Sequence, residues 1–115
     1  MISDTRFWPT NTANTASLLW HFFHSLPAPS SAVNWVGFYV ASPADPDMLL
    51  LGPFMGKVAC QSIRVGKGVC GTSADRKESV VVADVEKFPG HIACDGETRS
   101  EIVVPIVKDS KVGLC

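Results

Sequence analysis

No stretch of eighteen apolar residues occurs in this chain, and neither does a polybasic run, an internal repeat or a low-complexity tract. The first absence argues against a membrane-spanning helix. With Lys+Arg 10 against Asp+Glu 11 and a formal net charge of −1, the chain also lacks the electrostatic footprint that nucleic acid or an anionic membrane surface requires. Residues Met1 to Pro9 mix Asp4, Arg6 and Trp8 and hold no apolar run of the kind a secretory leader needs, so a cytosolic protein is expected. The 4 cysteines then start as thiols, which favours redox use over a structural disulfide framework. No two of them have zinc-knuckle spacing. A small molecule or a protein is the expected partner.

The chain has 115 residues, which suits one domain spanning 1–115. From Thr10 to Leu26 apolar residues (Ala13, Ala16, Leu18, Leu19, Trp20, Phe22, Phe23, Leu26) recur mostly three and four apart, with Thr10, Asn11 or Thr12 available as N-cap and Pro27 closing the run. This pattern predicts one amphipathic helix. Beyond Pro27 the pattern changes to short segments rich in Val, Ile, Leu and aromatics, at Val33–Ala41, Met48–Phe54, Lys57–Val65, Val80–Val85 and Ile102–Val107. These are predicted strands. Pro43, Asp45, Pro46 and Asp47 connect the first two and Met55-Gly56 leads to the third, which suits an antiparallel meander. A helix on one face of such a sheet makes an α+β two-layer domain. A short helical turn is expected from about Gly71 to Arg76, and Lys111 to Cys115 reads as the beginning of one more strand.

Three thiols carry the chemistry. Cys60 follows Gly56-Lys57-Val58-Ala59, Cys70 lies between Gly68 and Gly71, and Cys94 stands in Gly90-His91-Ile92-Ala93-Cys94-Asp95. Each has an ordinary packing alternative, because cysteine is among the most buried residue types. Cys115, after Val112 and Leu114, fits that alternative and is given no role. Cys60 alternates with Val58 and fits either reading. Cys70 sits near a possible helix start, where aligned amides favour thiolate. Cys94 is the strongest of the three, in a polar loop with His91 three positions back as a base or cation.

Two other motifs compete. Gly66-Lys67-Gly68-Val69-Cys70-Gly71 spells a dinucleotide-binding fingerprint, with Asp84 where the ribose-binding acid belongs. Its context disagrees: the preceding strand carries Lys57, Gln61, Ser62 and Arg64, and Asp75, Arg76, Lys77 and Glu78 leave no apolar stripe for a following helix. A glycine turn that lets backbone pass close to a neighbour explains the same residues. His91-x-x-Cys94 would be half a zinc site, but Cys60, Cys70, His21 and His24 do not supply the closed spacing, so no metal is expected.

The segments Asn34-Trp35-Val36-Gly37-Phe38-Tyr39, Leu51 to Cys60, Gly66 to Thr72, Gly90 to Asp95 and Ser100 to Pro105 closely resemble the free methionine-R-sulfoxide reductases, which are built on a GAF domain. Both cysteine intervals, ten and then twenty-four positions, match that family. The resemblance implies a GAF-like fold and reduction of free L-methionine (R)-S-oxide through a cysteine sulfenic acid and an intramolecular disulfide, with thioredoxin as reductant and no cofactor. By the same resemblance Cys94 matches the nucleophile, and Cys70 and Cys60 the resolving and supporting thiols. Glu101 matches an acid that meets the sulfoxide oxygen or holds the substrate, and Trp35 and Tyr39 match aromatics around its methyl end. Four apart on a strand, those two face the same side; core packing would place them equally well. The resemblance is consistent with a homodimer. Family members continue past Gly113-Leu114 through two substrate-binding aspartates and a last helix, so a chain lacking them is expected to reduce the substrate poorly. A GAF-type sensor for a small ligand or cyclic nucleotide is the alternative, and a peroxide-responsive thiol switch a third.

Overall fold

Proline near a helix start costs nothing, because the amide it lacks would have no intrahelical partner there, and Pro9 uses this to begin the first helix earlier than the apolar pattern indicates. In the computed structural model, which describes residues 6–91, 97–108 and 111–114, α1 spans Trp8–His24. The candidate caps Thr10, Asn11 and Thr12 lie inside it. Thr12 instead turns its hydroxyl back onto the first turn, donating to the carbonyls of Trp8 at 2.8 Å and Pro9 at 3.2 Å. Ser25 ends the helix, its amide bonding the carbonyls of His21 and Phe22, both at 3.1 Å. The expected inward stripe is only partly buried. Thr12 and Ala16 are covered, whereas Leu18 is 60% and Phe22 55% exposed.

Two compact units divide the chain, one of Met1–Phe38 with Gly52–Val58 and one of Tyr39–Leu51 with Ala59–Cys115. Strands β1 (Trp35–Ala41) and β2 (Met48–Gly56) run through both. In the first unit Trp35 stacks on Phe54, with ring centroids 5.5 Å apart and planes 18° from parallel.

The second unit contains β3 (Ser62–Arg64), α2 (Gly68–Arg76), β4 (Val80–Val82), β5 (Glu101–Val103), β6 (Ile106–Lys108) and β7 (Lys111–Leu114). The larger sheet has the order β3-β2-β1-β7-β6, and β4 and β5 form a separate pair. The β2–β3, β1–β7, β6–β7 and β4–β5 pairings are antiparallel. This meander matches the sequence expectation and is incompatible with the parallel sheet of a dinucleotide fold. Leu49 faces Ile63 across the β2–β3 ladder and both are buried, so the register places one apolar pair inward.

Three predicted strands are corrected. Val80–Val85 ends at Val82, and Val85 opens a 3-10 turn capped by Asp84. Lys57–Val65 shortens to Ser62–Arg64, which leaves Cys60 in the preceding loop. Ile102–Val107 breaks at Val104-Pro105, and the halves join different sheets. Proline supplies no ladder donor, so it marks the break. The short helix exists but starts at Gly68 instead of Gly71. It packs on β3, β4 and β5, and the adjoining core is Val69, Val82, Val85 and Val103, with Cys70, Val80 and Phe88 against it.

Candidate active site

Glycines at 66 and 68 adopt positive φ, +91° and +64°, which turns the chain sharply into α2. Gly71, one helical turn later, meets the returning backbone: a Cβ there would stand 2.5 Å from the carbonyl oxygen of Arg64. The amide of Gly66 donates to the Gly71 carbonyl at 2.8 Å. The glycine-rich motif is thus a close-packed turn. Asp84, the acid that the dinucleotide reading needs, caps a 3-10 turn at Val85–Lys87 by accepting from the amide of Glu86 at 3.0 Å.

This clasp seats Cys70 in the first turn of α2, half-buried against the valine core and carrying its thiol. Cys60 is held differently. The hydroxyl of Tyr39, a residue only 4% exposed, donates to the Cys60 carbonyl at 2.7 Å. Cys60 is disulfide-bonded. One of the candidate thiols is therefore drawn into an oxidised pair while another is not, an asymmetry that spacing alone did not indicate. Cys94, the expected nucleophile, and Cys115 lie outside the described residues.

Glu101 opens β5, where its backbone is opposite the buried Val82 of β4. Its Oε1 lies 2.9 Å from Nε2 of His91, with side-chain exposures of 27% and 14% for the acid and the imidazole. His91 follows the 3-10 turn and bonds its amide to the Phe88 carbonyl at 3.2 Å, and the amide of Val85 reaches the Arg99 carbonyl at 2.9 Å. The Val85–Arg99 bond thus ties the turn to the residues just before the strand. Sequence reading placed His91 near Cys94 but not on Glu101, because the two are ten positions apart across a loop.

Trp35, in the first unit, owes its place to Gly37, where a Cβ would come within 2.6 Å of the indole Cη2. That requirement was missed, although Trp-x-Gly on a strand is its trace. His21 and His24 face outward on α1, with their Nδ1 atoms on the carbonyls of Ser17 at 2.8 Å and Trp20 at 2.7 Å. Among the described residues no group of three or more His, Cys, Asp or Glu side chains is arranged to hold a metal ion, and no helix is long and apolar enough to cross a membrane.

No profile of a known protein family matches the chain. Individual proteins do. It is 57% identical over 102 residues to the free methionine-R-sulfoxide reductase of Saccharomyces cerevisiae, covering 89% of this chain and 55% of that one. A solved GAF-domain structure superposes with a TM-score of 0.89 at 52% identity, covering 98% of this chain and 63% of the other. The X-ray structure of free methionine-R-sulfoxide reductase from Neisseria meningitidis in complex with its substrate gives 0.86 at 40% identity, covering 98% and 62%. The chain thus spans less than two thirds of the length of each. The α+β fold is that of a GAF domain.

Proposed function

We propose, from the premise that this chain belongs to the free methionine-R-sulfoxide reductase family, that it reduces free L-methionine (R)-S-oxide to L-methionine by thiol chemistry. The observation that carries the reading is the unequal state of two cysteines in one unit, Cys60 in a disulfide and Cys70 as a thiol, with a mostly buried acid paired with a histidine in the same unit.

Cys94 is the nucleophile in this reading. Its thiol gives up a proton and the sulfur attacks the sulfoxide sulfur. Oxygen passes to the cysteine, which is oxidised by two electrons to sulfenic acid, while the substrate sulfur is reduced by two electrons to the thioether. The proton lost by the thiol ends on the transferred oxygen. A second thiol then condenses with the sulfenic acid, releasing water and forming a disulfide. An external dithiol of the thioredoxin class reopens it by exchange and becomes a disulfide itself. The oxidised state of Cys60 supports Cys60 as the resolving thiol and leaves Cys70 as the supporting one.

Glu101 is positioned to polarise or protonate the oxygen, since a mostly buried carboxyl with a fixed partner is the group type that general acid chemistry uses. Trp35 is the aromatic proposed for the methyl end of the substrate; Tyr39, only 4% exposed and bonded to the Cys60 carbonyl, holds the cysteine loop instead. The described residues belong to one GAF-like domain over 1–115. The enzyme works in the cytosol, where thioredoxin keeps thiols reduced, and associates as a homodimer.

The test is oxidation of NADPH coupled through thioredoxin and its reductase, with the yeast relative as positive comparison. Turnover of the free R sulfoxide, slow beside the yeast relative and with little of the S form or of peptide-bound residues, is the expected result. Mass spectrometry of the oxidised product should join Cys94 to Cys60. Absence of turnover together with thiols unchanged by the sulfoxide would overturn the proposal.

A further inference from the structure

We infer that His91 is the positioning residue of Glu101: its Nε2–H holds Oε1 and thereby presents the other carboxyl oxygen to the ligand. This deepens the proposed reaction and rests on it. The geometry is specific. Nε2 and Oε1 are 2.9 Å apart, and both side chains are mostly covered, at 14% and 27% exposure. A carboxylate oxygen offers only lone pairs, so the hydrogen is assigned to Nε2. Removing a carboxylate from water is costly without a hydrogen-bonding partner, and among the described residues the imidazole is the partner that the geometry provides.

Both ends of the pair are anchored by backbone. The amide of His91 is bonded to Phe88, Val85 is bonded to Arg99 just before the strand, and Glu101 is in register with Val82 on β4. The imidazole therefore limits which way the carboxyl group turns. With Oε1 engaged, Oε2 carries the proton that Glu101 receives as the attacking thiol ionises and passes to the sulfoxide oxygen. As that proton leaves, the carboxylate re-forms with its Nε2–H bond already in place, so Oε2 keeps its orientation through the transfer. His91 gains and loses no proton in the step. Its effect is on the orientation of the proton-carrying oxygen, and so falls on the transfer step and little on the bound substrate.

The test uses His91→Ala, His91→Gln and His91→Phe in this chain, with kcat and KM for free methionine (R)-sulfoxide and thermal stability measured for each. His91→Ala is expected to lose about 10- to 100-fold in kcat with KM nearly unchanged, the effect of losing one hydrogen bond that orients the proton-transferring carboxyl group. Glutamine carries an amide N–H at the ε position, so His91→Gln should recover most of the loss. Phenylalanine fills the space without the donor and should not. In a Glu101→Gln background, His91→Ala should cost little more, since the group it serves no longer transfers a proton. Equal loss in the Gln and Phe variants, or a loss tracking the fall in melting temperature, overturns the positioning role while leaving the reaction standing. An inactive parent chain overturns the reaction and this role with it.

Discussion

Replacing Tyr39 with phenylalanine separates two jobs that one side chain performs. The ring is only 4% exposed and its hydroxyl donates to the Cys60 carbonyl at 2.7 Å. Phenylalanine keeps the buried ring and its packing, and it deletes the bond to the cysteine loop. Loss of a partly buried hydrogen bond whose acceptor stays behind costs about 1–2 kcal/mol, a fall of about 4–10 °C in melting temperature for a domain of this size. If all of that energy holds the loop in place, formation of the disulfide at Cys60 slows by roughly 5- to 30-fold. Calorimetry of the reduced protein reads the first quantity, and acid quenching after sulfoxide addition, followed by mass spectrometry, reads the second. KM should stay within about twofold, because the deleted hydroxyl bonds the Cys60 carbonyl and is no part of the proposed substrate contacts. A melting temperature within about 1 °C of the parent and an unchanged disulfide rate would refute the claim that the Tyr39 hydroxyl holds the loop.

The other expectations are shorter. Gly71→Ala puts a methyl 2.5 Å from the Arg64 carbonyl and should destabilise the fold by about 1–3 kcal/mol, read by urea titration; an unchanged midpoint would mean that the turn yields freely. Ser73→Ala removes the 2.7 Å bond from a fully buried hydroxyl to the Glu78 carbonyl and should cost about 1 kcal/mol in the same titration. Cys60→Ser should complete one reduction and stall, with the sulfenic acid trapped by a cyclic dione and seen as an added mass, whereas Cys70→Ser should still form the disulfide; the reverse pattern would exchange the two roles.

Much of the architecture was legible because it follows from periodicity. Apolar residues three and four apart between Ala13 and Phe23 specify a helix whatever surrounds it, and β-branched runs broken by Pro, Gly and Asp specify short strands. The errors occur where a tertiary contact overrides the local pattern. Cys60 alternates with Val58 as a strand residue would, but its carbonyl is taken by the Tyr39 hydroxyl, and the ladder begins only at Ser62. The run from Ile102 to Val107 looks continuous, yet Pro105 divides it between two sheets.

Residue chemistry and spacing alone determined the α+β class, the antiparallel meander and the three thiols as the centre of interest, since these depend on composition and on periods of two and 3.6 along the chain. Folding decided which cysteine is oxidised, which backbone group the single tyrosine hydroxyl reaches, and that His91 meets Glu101 across ten residues. Such pairings depend on where strands and turns come to rest in space, and side-chain atoms a few ångströms apart leave no periodic trace in the order of residues.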